Sequence, residues 1–192
     1  MSFWSDCYGY TMGMLREIWM LVFRANIFVV FVSFILFILL FCFLEKKLFN
    51  KSSVIYIVMC SLYATFLITI TVLGRLPECS SSINNLFLTY IKYSNGDLGA
   101  KYDIIYNILL FIPVGVLTNR YKRIKYNLMF LIILPFTIEF IQLITSRGVF
   151  ELTDIINNFI GGLIGLSVAR LVGKLIRFIK VKRKGGTVER AE

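Results

Sequence analysis

The chain has 192 residues, of which 58% are hydrophobic and only 17% charged, with mean hydropathy +0.78 and 18 Phe. That balance excludes an ordinary water-soluble domain and predicts an integral membrane protein. A formal charge of +10 would suggest nucleic acid in a soluble chain, but the Lys and Arg residues gather in short loops and the tail, where they set membrane topology, so nucleic acid is not expected as a partner.

There is no His, which removes the commonest general base and metal ligand. Cys7, Cys42, Cys60 and Cys79 form no CxxC pair, so no zinc site, no redox motif and no cofactor is expected. The cysteines read mainly as packing residues, and a disulfide between Cys7 and Cys79, both expected outside, stays open.

Taken in order, residues 1–24 mix aromatic and polar side chains, with Arg16 and Arg24 breaking the apolar run. They lack the short apolar core and cleavage site of a signal peptide and predict an interfacial segment. Residues 25–44 supply the roughly 20 apolar residues that cross a hydrocarbon core. EKKLFNKSS makes a polar loop, and residues 54–73 form the second span, closed by Gly74 and Arg75. A mixed connection runs to Tyr102, with INNLFLTYIKY expected along the membrane surface. The third span, residues 104–118, is about 22 Å of helix and carries Asn107, Pro113 and Gly115, so it is expected to be tilted, kinked or shielded by neighbours. Residues 128–146 give the fourth span, with Pro135 and Glu139 inside it, and residues 155–176 the fifth. The reading is an all-α integral membrane protein: a five-helix transmembrane bundle over residues 25–179, followed by a basic cytoplasmic tail, 180–192.

The positive-inside rule orients it. Lys46, Lys47 and Lys51, then Arg120, Lys122, Arg123 and Lys125, then the tail from Lys174 fall on one side of five spans. The N-terminus is expected outside and the C-terminus in the cytoplasm.

The stretch IEFIQLITSRGVFELTDIINNFIGGLIG, from Ile138, places Glu139, Gln142, Arg147, Asp154 and Asn158 in an apolar chain. Pro135, Glu139, Gln142 and Ser146 recur at helical spacing, as do Asp154, Asn158, Gly161 and Gly165, giving each helix one polar face. Gly161, Gly165, Ala169 and Gly173 then continue as small residues every four, a ridge that lets another helix approach closely, and Pro113 on the third span is a further helix-packing residue. An ionised carboxylate facing lipid costs a few kcal/mol (about 3 at a helix centre), so Glu139 and Asp154 are expected to face inward, paired with Arg147 or Arg75. With Asn107, Gln142 and Asn158 they form a candidate site, opening outward, for a polar headgroup or external ligand. The competing reading is polar glue that fixes the bundle.

NILLFIPVG from Asn107, IEFIQ with Glu139 and Gln142, Arg147, and TDIINNFIGGLIG with Asp154, Asn158, Gly161 and Gly165 together resemble the VanZ-like family of bacterial membrane proteins over roughly residues 54–172. The resemblance implies four or five spans in a bacterial cytoplasmic membrane and a role in glycopeptide or lipoglycopeptide resistance, since the founding member is associated with low-level resistance to teicoplanin. Two departures stand out: many relatives carry paired acids where this chain has Thr153 and Asp154, and Glu151 replaces a more usual Asp.

Three functions are then open. The first is a non-enzymatic envelope protein whose outward polar site binds a lipoglycopeptide or a lipid-linked cell-wall precursor. The second is an intramembrane enzyme modifying a lipid headgroup, with Glu139 or Asp154 as acid or base; the missing His and the lack of a nucleophile beside a base argue against it. The third is a small transporter, against which stand the absence of inverted repeats and polar groups that stop in one half of the membrane. Membrane lipids are the other expected partners, including anionic lipid for the tail.

Overall fold

The computed structural model describes residues 20, 25–49, 53–75, 86–120 and 123–188, without the side chains of 48, 49 and 182–188. The interfacial segment (Met20 apart) and the Cys7 and Cys79 pair lie outside the described residues. Those described form helices: α1 (Ile27–Phe49), α2 (Val54–Ile68) running into a π-helical turn (Thr69–Leu73), α3 (Leu88–Ser94), α4 (Leu98–Thr118), α5 (Ile124–Ile144) and α6 (Leu152–Val188). Five stretches are long and apolar enough to cross a membrane: α1, α2 with its π turn, α4, α5 and α6. The chain is an all-helical, multi-pass membrane protein. Its side chains agree with that solvent: Ile27, Phe28, Phe31, Leu39 and Phe43 all project outward from α1, a placement that suits hydrocarbon and not water.

Helix limits differ from the sequence reading where a local cap, not hydropathy, decides. α4 begins at Leu98 because the Asp97 Oδ1 accepts from the Gly99 N–H at 2.8 Å, an N-cap that satisfies one of the orphan amides. The helix therefore has 21 residues, about 32 Å, and is not a short span. It continues through Pro113. α5 stops at Ile144 because Ser146 takes φ 51°; the Arg147 N–H donates to the Gln142 carbonyl at 2.9 Å and the Ser146 N–H to that of Leu143 at 3.2 Å. This pair of bonds is a Schellman motif, and it removes Ser146 from the helical face that the spacing predicted. α6 runs on through residue 180 to Val188, 37 residues in all, or about 55 Å. The expected tail is thus helical up to that point.

The chain divides into two compact units: Met1–Ser82 with Phe140–Phe150, and Ile83–Glu139 with Glu151–Glu192. In the first, α1 packs against α2. Hydroxyls buried in α2 are satisfied locally: Ser61 Oγ donates to the Ile57 carbonyl and Thr65 Oγ1 to that of Ser61, each at 2.8 Å, the usual solution where no water is present.

In the second unit α4 and α6 pair, with α3 against both. The register is parallel. A Cβ on Gly161 would strike the Ile108 carbonyl, one on Gly165 the Ile112 carbonyl, and one on Gly115 the Gly162 carbonyl. Backbone meets backbone at all three, so no side chain can yield to make room; this is the close approach that small residues permit between membrane helices. The close approach does not extend to Gly173. Around Gly173 nothing lies within 4 Å of a Cβ position, because a register that sets Gly165 beside Ile112 carries Gly173 past Thr118, where α4 ends. Pro113 is half-buried on α4.

Candidate functional site

The predicted polar residues divide between the two units. Arg75, Gln142 and Arg147 belong to the first; Asn107, Glu139, Asp154 and Asn158 belong to the second.

In the first unit the π turn at the end of α2 leaves carbonyls without helical partners. The Gln142 Nε2 donates to the Thr71 carbonyl at 2.8 Å. The Arg147 Nη1 donates to the carbonyls of Val72, Leu73 and Arg75 at 3.1, 2.8 and 2.9 Å. A guanidinium at the carbonyl end of a helix both satisfies these acceptors and suits the macrodipole. Sequence reasoning cast Arg147 as the counter-ion of a carboxylate; within its unit it acts as a C-cap. Gln142 is 2% exposed, and its Oε1 has no hydrogen-bond partner. The Arg75 side chain comes close to Gly148, with Nη1 3.2 Å from where a Cβ would be.

In the second unit the polar groups gather where α3 meets the start of α6. Two helix starts cap one another there. The Glu151 Oε2 accepts from the Thr89 N–H at 3.1 Å, from Thr89 Oγ1 at 2.7 Å and from Thr153 Oγ1 at 2.9 Å. In return the Leu86 carbonyl, just before α3, accepts from the Leu152 and Thr153 N–H groups at 2.9 and 3.4 Å. The carboxylate of Glu139, 2% exposed, accepts from the Glu151 N–H through Oε2 at 3.2 Å. On the neighbouring face Asn107 Nδ2 donates to Asp154 Oδ1 at 2.7 Å, and Tyr90 Oη to Asn157 Oδ1 at 2.8 Å. Partial burial, and then the charge of Asp154, push the Tyr90 phenol above its ordinary 10.0.

Glu151 and Asp154 thus sit at the amide end of α6, where a negative charge is favoured, and Glu151 serves the start of α3 as well. At this start of α6 two buried amide atoms are left over. Asn157 Nδ2 and Asn158 Oδ1 have no partner, on side chains 1% and 4% exposed. A donor and an acceptor hidden from water without bonds each cost about 1–3 kcal/mol, and a ligand offering the complementary groups recovers that.

A family model for VanZ/LLP1 matches residues 63–173, which takes in the end of α2, both polar groupings and the α4–α6 glycine contacts. The chain belongs to the VanZ/LLP1 family. It is also similar to "Protein VanZ" of Enterococcus faecium, at 36% identity over 84 residues, 42% of this chain and 52% of that protein. The match spans about half the length of that VanZ relative. No solved structure matches the chain.

Of the residues that make the second grouping, sequence reasoning named Asn107, Glu139, Asp154 and Asn158 and passed over Thr89, Tyr90 and Asn157. Thr153 and Glu151 entered it only as departures from relatives, with no role in the site. One signal was available: Glu151 immediately precedes the first residue of a helix, the position where a capping side chain is wanted, and Thr153 and Asn157 repeat the i, i+4 spacing one residue before Asp154 and Asn158.

Proposed function

We propose that this VanZ-family chain protects a bacterium against glycopeptides of the teicoplanin type, from the cytoplasmic membrane, by holding the drug or a lipid-linked cell-wall precursor at the polar grouping of the second unit. The observation that carries this reading is the two buried, unpartnered amide atoms on Asn157 and Asn158, one helical turn along α6 from Asp154. Donor, acceptor and negative charge stand together at one helix start, in a chain whose surroundings are hydrocarbon. Such a set suits a polar peptide or sugar-peptide group presented at a membrane, and a lipid tail on the ligand supplies the apolar contact that retains it there. Teicoplanin carries an acyl chain; vancomycin does not.

The reading assigns Asn158 and Asp154 to ligand contact, Asn107 to orienting Asp154, and Tyr90 to orienting Asn157. No catalytic step is assigned. The experiment is the inhibitory concentration of teicoplanin and of vancomycin for a susceptible Gram-positive host making the wild type, Asn158→Leu and Asp154→Asn at matched membrane levels. Protection against teicoplanin that exceeds protection against vancomycin, and that both substitutions abolish, is the expected result. Equal susceptibility of all strains at equal expression overturns it.

A further inference from the structure

The end of α2 has chemistry of the opposite sign, and the reading above does not use it. We propose that Arg75, Gln142 and Arg147 in the first unit form a binding site for an anionic phosphate group, the chemistry shared by an anionic lipid headgroup and free phosphate.

Four observations on this unit carry the proposal. Arg147 is held rigidly, with Nη1 on three carbonyl oxygens, so the remaining N–H groups of its planar fork are presented in a fixed direction. One of those carbonyls belongs to Arg75, whose own guanidinium makes no hydrogen bond or ion pair with any described residue. The bond from the Arg147 guanidinium to the Arg75 main chain sets two like charges on neighbouring residues, and an anion that engages both offsets their repulsion. Among the described residues of this unit the one acid is Glu45, near the end of α1 and next to the connection into the start of α2, and so at the far end of α2 from Arg75.

The last observation narrows the ligand. Gln142 is nine-tenths and more buried, and its Nε2 is committed to Thr71, so the unpartnered Oε1 is an acceptor that waits for a donor. It stands 3.4 Å, and Arg75 Nη1 3.2 Å, from the point where a Cβ of residue 148 would be. Gly148 therefore lets a cationic donor and a neutral acceptor meet over one face of the loop. A phosphate ester carrying a hydroxyl fits both: its anionic oxygens take the guanidinium donors and its O–H donates to Oε1. Arg75 follows directly on a membrane-spanning helix, the level at which a bilayer holds its phosphates.

The full chain, delipidated in an uncharged maltoside detergent, is titrated with dihexanoylphosphatidylglycerol, with inorganic phosphate and with uncharged dihexanoylglycerol. Binding is read by native mass spectrometry and by thermal shift. Saturable binding of the phosphatidylglycerol that inorganic phosphate does not displace identifies a lipid headgroup; displacement by phosphate at similar concentration identifies the free anion. Either result supports the site, provided that Arg75→Gln weakens binding by about tenfold or more with an unchanged melting temperature in the absence of ligand. The fold does not rest on that guanidinium, so the variant is expected to fold. Gly148→Ala, whose methyl crowds both Arg75 Nη1 and Gln142 Oε1, is expected to weaken binding as well. The proposal is overturned if dihexanoylglycerol binds as tightly as the phosphatidylglycerol, if neither anion binds, or if Arg75→Gln stays within about twofold of wild type.

Discussion

The two polar groupings solve one problem with opposite charges. At the end of α2 a cation, Arg147, is satisfied by main-chain carbonyls. At the starts of α3 and α6 an anion, Glu151, is satisfied by a main-chain N–H and two hydroxyls. Each charge sits at the helix end whose dipole favours it. The contrast teaches that a half-buried charged side chain can be satisfied by helix ends, which offer orphan amides and carbonyls. Arg147 and Glu151 are mostly used up by the fold, whereas among the described residues Arg75, Asn157 and Asn158 retain groups without a hydrogen-bond partner.

The sharpest way to break this arrangement is through the packing beneath the second grouping. Gly165→Val drives a side chain into the Ile112 carbonyl and is expected to cost at least about 3 kcal/mol, since backbone must move. Gly173→Val, which meets nothing, is expected to be neutral. Unfolding of both variants by SDS titration checks the pair, and equal losses would show that the α4–α6 contact is not where the structure places it.

Next in size is the C-cap. Arg147→Met leaves three carbonyls of the first unit without their shared donor, with an expected loss of about 2 kcal/mol, while Arg147→Lys recovers part of it. If Met and wild type unfold at the same SDS fraction, the cap contributes nothing.

Glu151→Gln can keep a carbonyl oxygen on Thr89 and Thr153, since all three bonds go to Oε2, but it removes the negative charge that strengthens them and suits the start of α6. About 1–2 kcal/mol is expected, and a double-mutant cycle with Thr89→Val should return a coupling of about 1 kcal/mol. A coupling of zero would separate the two starts.

The smallest effect is expected for Tyr90→Phe, one hydrogen bond to Asn157 or about 1 kcal/mol. It has a pH signature. The phenol is raised in the folded state, so its contribution is fully present below 10.0 and fades as pH rises above that value, when the unfolded chain loses the proton first. The stability gap between wild type and Tyr90→Phe should therefore narrow in alkali; a gap that widens contradicts the environment described for Tyr90.

The membrane class, the five spans and the face of α6 that packs closely were legible in the sequence, because hydropathy and helical period are local properties. The sequence also singled out Arg75, Asn107, Glu139, Gln142, Arg147, Asp154 and Asn158 as candidates, since a polar residue in or at the end of an apolar span needs a reason. What each residue binds was not legible. Helical spacing says which face Gln142 occupies, but its partner Thr71 is 71 residues away, and Thr89 meets Glu151 across 62. The pairing of Arg147 with a carboxylate was a sound guess from charge alone; it missed the carbonyls because a main-chain acceptor at a helix end has no letter of its own in the sequence. Glu151 looked like an ordinary loop acid for the same reason. Composition and periodicity determined that this chain lies in a membrane as helices with polar stripes, whereas only the tertiary structure decided which helix ends those stripes serve, because that depends on which orphan backbone groups the packing brings within about 3 Å.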